Sequence, residues 1–249
     1  MELITSLRNP KVISWRSLKD RKGRDELHAF MVEGPKMVEE ALRSQFPVRT
    51  VLIREGYEPP FPVPAETQVC MLSENVFQSV CDTKTPQGIA AVTGISIQPL
   101  KGRFLLALDG IQDPGNMGTM IRTADAAGFE GMILSRDCAD VFSPKVIRST
   151  MGSIFRMTFS FPDSLASSLC SLRDSGFAVI SSQLDGEPFY HRESVSAPLV
   201  LIIGNEGNGI SDEVKSVASH HFRLPMNGGA ESLNAAVAAG IMMYDLVHR

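Results

Sequence analysis

The chain has 249 residues, 43% of them hydrophobic and 21% charged, with a formal charge of −4. This is an ordinary globular composition, long enough for one large domain or two modest ones. The charge argues against a protein that coats polyanions through its net field, and no apolar run is long enough to span a membrane. The opening Met1-Glu2-Leu3-Ile4-Thr5-Ser6 lacks the basic and then apolar segments of a secretion leader. Cys70, Cys81, Cys138 and Cys170 are scattered without a C-x-x-C pair, which is the usage expected of a cytoplasmic protein with reduced thiols, no disulfide framework and no metal site.

Charge is unevenly spread. Over 8–24, seven basic residues (Arg8, Lys11, Arg16, Lys19, Arg21, Lys22 and Arg24) stand against one acid, Asp20. Leu7, Val12, Trp15 and Leu18 recur at helical spacing, so the stretch reads as an amphipathic helix with a basic outer face. Such a face is either simply solvated or grips a phosphate backbone. A strand is expected at 30–34, then a helix at 35–43 opened by Pro35, with Met37, Val38, Ala41 and Leu42 on one side. Strands at 49–54 and 68–72, a helix at 73–80 capped by Ser73, and a strand at 90–95 complete an α/β module of roughly 95 residues. Pro59, Pro60, Pro62 and Pro64 stiffen a surface loop inside it. The polar, Pro- and Gly-bearing stretch 98–103 reads as a linker, which places a first domain at 1–97 and a second at 104–249.

Beyond the linker, a buried strand at 104–108 leads into the turn-rich stretch 109–118. A helix follows at 119–127, with Met120, Ile121, Ala124 and Ala127 inward, Arg122 on another face and Gly128 as its stop. The pattern continues as strand 131–134, helix 143–151, strand 155–159, helix 164–175 and strand 177–181. The apolar run Leu199-Val200-Leu201-Ile202-Ile203 reads as a strand buried on both faces, and a terminal helix begins near Leu233. Strand and helix in alternation make the second domain a parallel α/β sheet. Directly after the apolar run, Gly204, Gly207 and Gly209 let a small ligand approach the backbone at the carboxyl end of a parallel strand.

Several chemistries are a poor fit. The spacing Gly204-x-x-Gly207-x-Gly209 runs opposite to the dinucleotide fingerprint, and there is no Walker lysine and serine pair. His220 and His221 would point to opposite faces of an extended segment, and Ser232 has no neighbouring histidine. What remains are polar residues at strand ends: Asn116, Arg122, Glu206, Ser232 and Asn234. Each has a structural alternative: Asn116 as a turn former, Glu206 as a helix-terminus carboxylate, Ser232 or Asn234 as a helix N-cap, Arg122 as a surface residue. Their combination on three loops is the rarer pattern.

Asn116-x5-Arg122, Gly204-Asn205-Glu206-Gly207-x-Gly209, and Pro225-Met226 followed by Ser232-Leu233-Asn234 closely resemble the three motifs of the SpoU/TrmH family. These are S-adenosylmethionine-dependent RNA 2′-O-ribose methyltransferases of the SPOUT superfamily. The resemblance covers the second half of the chain. More loosely, Asn9-Pro10, Arg24, Phe30, Glu33-Gly34 and Pro86-Gln87-Gly88-Ile89 resemble the L30e-like substrate-binding domain of some members. One departure is Asn234-Ala235-Ala236-Val237-Ala238, where many relatives carry Asn-Val-Ser-Val-Ala.

The resemblance implies a SPOUT domain, an α/β trefoil knot on a parallel sheet, preceded by a smaller L30e-like α/β domain. It implies S-adenosylmethionine as methyl donor, held by Gly204, Asn205, Gly207, Leu224, Met226 and Leu233. It implies catalysis by Arg122 with Asn116, Glu206, Ser232 and Asn234, Asn116 and Glu206 holding Arg122 in place. Arginine is always charged and makes a poor base, so Arg122 is expected to position phosphate and steady developing oxyanion charge. A homodimer with its active site near the subunit interface is implied as well. The partner is RNA and not DNA, ribosomal ahead of transfer RNA, with Arg8, Lys11, Arg16, Lys19, Arg21, Lys22 and Arg24 as RNA contacts. A transfer-RNA methyltransferase, a base methyltransferase of the superfamily, and a non-catalytic RNA-binding or assembly protein on the same fold are the competing readings.

Overall fold

A computed structural model describes residues 3–249. After a two-residue strand β1 (Leu3–Ile4), the basic stretch folds as two helices where one was expected: α1 (Pro10–Ser17) and α2 (Arg21–Leu27). Asn9 caps α1, its side chain accepting from the Lys11 amide at 2.9 Å, and Pro10 opens the first turn. The break follows from close packing, because a Cβ on Gly23 would overlap the carbonyl of Ser17. Val12, Trp15 and Leu18 face the core while Leu7 stays exposed. Strand β2 (Ala29–Glu33), helix α3 (Pro35–Arg43), strands β3 (Val48–Arg54) and β4 (Gln68–Leu72), helix α4 (Glu74–Val80) and strand β5 (Ile89–Gly94) follow close to expectation. The sheet order is β1-β4-β3-β5-β2, parallel through β1, β4 and β3 and antiparallel at β5. Val12, Trp15 and Leu18 pack with Val76, Phe77 and Val80 over Leu52, Leu72 and Ala90. Each large side chain buried this way contributes about 1.5–3 kcal/mol relative to exposure.

The next elements are β6 (Phe104–Asp109), α5 (Pro114–Ala127) and β7 (Gly131–Leu134). Helix α5 begins earlier than the expected 119: Asp113 is its N-cap, accepting from the Asn116 amide at 2.8 Å, with Pro114 in the first turn. The turn-rich composition of 109–118 masks this Asp-Pro start signal. Helix α6 (Pro144–Thr150) and a 3₁₀ turn (Ser153–Phe155) occupy most of the segment Asp140–Phe155. That segment groups with the first compact unit, which otherwise runs to Ser96; the second unit holds Ile97–Ala139 and Arg156–Arg249. The division therefore differs from a single cut at 98–103. Its physical basis is apolar: the rings of Phe142 and Phe155 lie 5.0 and 6.4 Å from that of Phe30.

The chain then runs through β8 (Thr158–Ser160), α7 (Leu165–Asp174), β9 (Ala178–Pro188), β10 (Leu199–Gly204), α8 (Asp212–Lys215), β11 (His220–Arg223) and α9 (Ala235–His248). The expected strand at 155–159 is thus shorter and later, because Phe155 closes the 3₁₀ turn. The six strands are ordered β11-β9-β10-β6-β7-β8 and every pairing is parallel. Leu105, Ile133, Val179, Val200 and Ile202 meet Leu169 and Val214 in one apolar cluster. From β6 the chain builds outward to β7 and β8, and the later strands fill in on the other side. The carboxyl ends of β6 and β10 therefore flank a topological switch point, where open α/β sheets bind their ligands.

Candidate active site

Three loops meet at that switch point, and Glu206 and Asn116 link them in a chain of hydrogen bonds. Glu206, just past β10, receives the Asn116 Nδ2 at 3.0 Å and the backbone amides of Gln112 and Asp113 at 3.3 Å each. Asn116 in turn accepts from Asn234 Nδ2 at 2.9 Å through its Oδ1. The Oδ1 of Asn234 caps α9, accepting from the amides of Ala236 and Val237 at 2.9 and 3.3 Å. Burial alone would raise the Glu206 pKa. The Asn116 hydrogen bond and the backbone amides, including those of Gln112 and Asp113, outweigh it and hold the carboxyl below its ordinary value. The chain so fastens the end of β10, the first turn of α5 and the first turn of α9 through groups that lie far apart in sequence.

The glycine-rich segment is shaped from within. Asn205 and Gly209 exchange backbone hydrogen bonds at 2.9 Å each, and Asn205 Oδ1 accepts from the Gly207 and Asn208 amides at 3.0 Å. Its Nδ2 reaches the Gly110 carbonyl at 2.6 Å, and Asp109 accepts from the Ser211 amide at 2.8 Å. Gly204 is buried where a Cβ would collide with the backbone of Gly209 and Ile210, so no other residue fits this turn. Gln112, Asp113, Asp109 and Gly110 were not among the expected site residues. The Asp-Pro cap was the one sequence signal that could have drawn attention to them.

The structure brings Asn116, Glu206 and Asn234 together, but it does not bring Arg122 or Ser232 to them. Arg122 is exposed on α5 and makes no hydrogen bond or ion pair among the described residues. The expectation that Asn116 and Glu206 hold Arg122 in place is therefore corrected: they hold each other and the cap of α9. Six residues along a helix is about 9 Å and about 240° of rotation, which turns Arg122 away from Asn116. Ser232 is exposed on the loop before α9.

Between β11 and α9 the chain offers what an adenosine-bearing ligand needs. Among the described residues, no backbone amide or carbonyl from 224 to 233 makes a hydrogen bond, while Leu224 is buried, Met226 half-buried and Leu233 exposed. Free backbone donors and acceptors beside apolar side chains suit a flat heterocycle with polar edges. The residues present fit S-adenosylmethionine. All four cysteines are free, and burial pushes the Cys81 and Cys138 thiols up, so neither is a nucleophile at neutral pH.

The basic face divides into exposed and structural members. Arg8, Lys11, Arg16, Arg21 and Lys22 are exposed and Lys19 is half-buried. Arg24 is 4% exposed, donating from Nε and Nη2 to Asp140 at 2.9 and 2.7 Å and from Nη1 to the carbonyls of Leu18 and Lys19 at 2.8 Å each. It is a corner brace of the first unit and is removed from the candidate RNA contacts.

Comparison with known proteins bears on both units. A model of the SpoU rRNA Methylase family matches residues 103–244, and one of the MRM3-like substrate binding domain matches residues 9–91. The 23S rRNA (guanosine(2553)-2′-O)-methyltransferase RlmP of Bacillus subtilis (strain 168) is 39% identical over 247 residues, 99% of either chain. A solved structure from Porphyromonas gingivalis, assigned to the TrmH family of RNA methyltransferases, matches with a TM-score of 0.89 and 33% identity over 97% of this chain and 98% of that one. The AdoMet-bound rRNA methyltransferase of Sinorhizobium meliloti matches with a TM-score of 0.88 and 33% identity, covering 98% of this chain and 97% of the other.

Proposed function

Because the chain belongs to the SpoU rRNA methylase family, we propose that it transfers the methyl group of S-adenosylmethionine to a ribose 2′-hydroxyl of ribosomal RNA. The observation that carries the reading is the Glu206 clamp, which joins the three motif-bearing loops while Arg122 stands outside it with a free guanidinium. When bound, the donor supplies an electrophilic methyl on a sulfonium. The chain's own residues supply geometry. Gly204, Asn205 and Gly207 shape the end of β10, and Leu224, Met226 and Leu233 line the loop whose backbone groups are free to hold the adenosine. Glu206, Asn116 and Asn234 keep those segments in register, so that the ordering is complete before RNA arrives.

Arg122 acts on the RNA. Its fork of donors suits phosphate and the oxyanion that develops as the hydroxyl loses its proton, and its permanent charge keeps it from being the base. Ser232, exposed two residues before the Asn234 cap, contacts the ribose in this reading. The exposed bases Arg8, Lys11, Arg16, Arg21 and Lys22, with Lys19, grip the phosphate backbone in the first unit. The protein works as a homodimer. Val237 and Tyr244 are 51% and 44% exposed and share one face of α9 at seven-residue spacing, an apolar stripe that a second copy would cover. Four free cysteines, three of them buried, fit a reducing cytoplasm.

The test is methyl transfer from labelled S-adenosylmethionine to unmodified ribosomal and transfer RNA, followed by digestion to nucleosides. Label in a 2′-O-methylnucleoside from ribosomal RNA is expected. Label in transfer RNA alone would move the substrate, label on a base would move the chemistry, and RNA binding without donor binding would leave a non-catalytic scaffold.

A further inference from the structure

A fourth loop adjoins the Glu206 clamp, and none of its residues belongs to the three motifs. It follows β7, which pairs in parallel with β6, so residues 135–139 emerge beside the turn at 109–113. Its first residue, Ser135, is half-buried and accepts the Gly110 amide on Oγ at 2.8 Å, while the same hydroxyl donates to Asp137 Oδ1. A serine that gives its one proton to a carboxylate keeps its lone pairs for the amide, so Asp137 sets the direction of the bond. Across the turn, Asn205 Nδ2 holds the Gly110 carbonyl at 2.6 Å. Ile111, the next residue, is fully buried, and its carbonyl accepts from the Ala139 amide at 2.7 Å. Gly110 is thus gripped at both of its polar groups. The two amides that follow Ile111, those of Gln112 and Asp113, are the ones that meet Glu206 at 3.3 Å each.

The grip matters because the turn has no stiffness of its own. Gly110 stands at φ +71°, a conformation that glycine enters and leaves freely. A Cβ there would lie 2.9 Å from Asp137 Oδ2, so a stiffer residue is not accommodated. Ser135, by contrast, directly follows a strand whose four residues are all buried, and it passes the rigidity of the sheet on to the turn. A site that is only fractionally in its binding-competent form loses apparent affinity in proportion to that fraction. We infer that Ser135 is a positioning residue for methyl transfer, seating the Gly110 turn so that Gln112 and Asp113 present their amides to Glu206 before the donor binds. This deepens the donor site of the proposed function and rests on that reading.

The experiment compares the full chain with Ser135→Ala and Ser135→Thr, first without ligand by NMR-resolved hydrogen exchange, then by calorimetric titration with S-adenosylhomocysteine. In Ser135→Ala the Gln112, Asp113 and Ala139 amides should exchange about tenfold faster, while those of β6 and β10 keep their wild-type rates. Affinity for S-adenosylhomocysteine should fall by about tenfold, the loss that one hydrogen bond between neutral groups supplies. In methyl transfer to ribosomal RNA the loss should appear as a raised KM for the donor with kcat held. Ser135→Thr, which keeps the hydroxyl, should recover exchange and affinity to within about threefold of wild type. Wild-type exchange at Gln112 and Asp113 in Ser135→Ala overturns the inference, as does an affinity that holds despite faster exchange. A threonine variant no better than the alanine one, or a fall in kcat alone, overturns it too. Protection lost throughout β6 and β10 would make Ser135 a general structural residue and equally overturn it. A wild type that binds no S-adenosylhomocysteine sinks the donor-site reading, and the inference with it.

Discussion

The exposed basic face of α1 and α2 and the crest of the parallel sheet both carry polar residues singled out by the sequence, yet the two regions use them in opposite ways. On the basic face, Arg8, Lys11, Arg16, Arg21 and Lys22 are exposed, and the pairs Arg21–Asp25 and Lys22–Glu26 are loose helix contacts at 3.8 Å. Such pairs are worth a few tenths of a kcal/mol at most, so the face stores charge and little geometry. At the crest, Glu206, Asn116 and Asn234 are joined by hydrogen bonds of 2.9–3.0 Å between residues 90 and 118 positions apart. There the side chains are consumed in fixing backbone segments, and Arg122 and Ser232 are left over, exposed and outside the network. A cluster of motif residues is thus two kinds of part, a frame and a tool.

If this division is right, breaking a brace should cost stability and breaking a tool should cost only its task. The largest effect on folding is expected from Arg24→Met, which strands Asp140 and two carbonyls. Removing one partner of a buried pair costs about 3–5 kcal/mol, read as a lowered urea midpoint with unchanged slope. A wild-type-like midpoint would return Arg24 to the basic face. Next, Val237→Glu places a charge on the apolar stripe of α9 and should convert a dimer to monomer in light scattering while the melting temperature holds. A dimer that survives would place the interface elsewhere.

Asn116→Ala should then weaken donor binding by about tenfold in calorimetry, since it removes the hydrogen bonds to both Glu206 and Asn234. It should also raise the Glu206 pKa, because that hydrogen bond is the foremost influence lowering it. In the wild type the depressed pKa means the clamp is intact throughout the neutral range. Its contribution is lost only as pH falls through the folded-state value, below the ordinary carboxylate range. A neutral-range titration of donor affinity that followed Glu206 would contradict this. The smallest effect is expected from Arg16→Ala with Lys22→Ala. Each should lower the slope of log affinity for single-stranded RNA against log salt by about 0.7 and leave donor binding unchanged. An unchanged slope would make this face merely solvated.

How much of this was legible follows from range. The helix α3 and the strand β10 could be read from local spacing, because Met37, Val38 and Ala41 and the run from Leu199 are patterns within one element. The motif residues were legible through resemblance, but their division into frame and tool was not. No periodicity reports that Glu206 meets Asn116 across 90 positions, and the contact of Asn116 with Arg122 that the resemblance implied is one that helical rotation forbids. Arg24 looked like its exposed neighbours because composition cannot register a carboxylate at Asp140, 116 positions away. The role of Ser135 is invisible for the same reason, since only the pairing of β7 with β6 brings it to Gly110, 25 positions earlier.

The clamp should prepare the donor site while Arg122 works on the RNA alone. The most direct measurement sets calorimetric binding of S-adenosylmethionine beside methyl transfer to unmodified ribosomal RNA for wild type, Arg122→Ala and Arg122→Lys. An unchanged donor Kd is expected in both variants, with transfer reduced by about 10²–10³-fold in Arg122→Ala and only partly recovered in Arg122→Lys, whose single ammonium lacks the fork. Donor binding lost together with transfer in Arg122→Ala, or near-full transfer in Arg122→Lys, would contradict it.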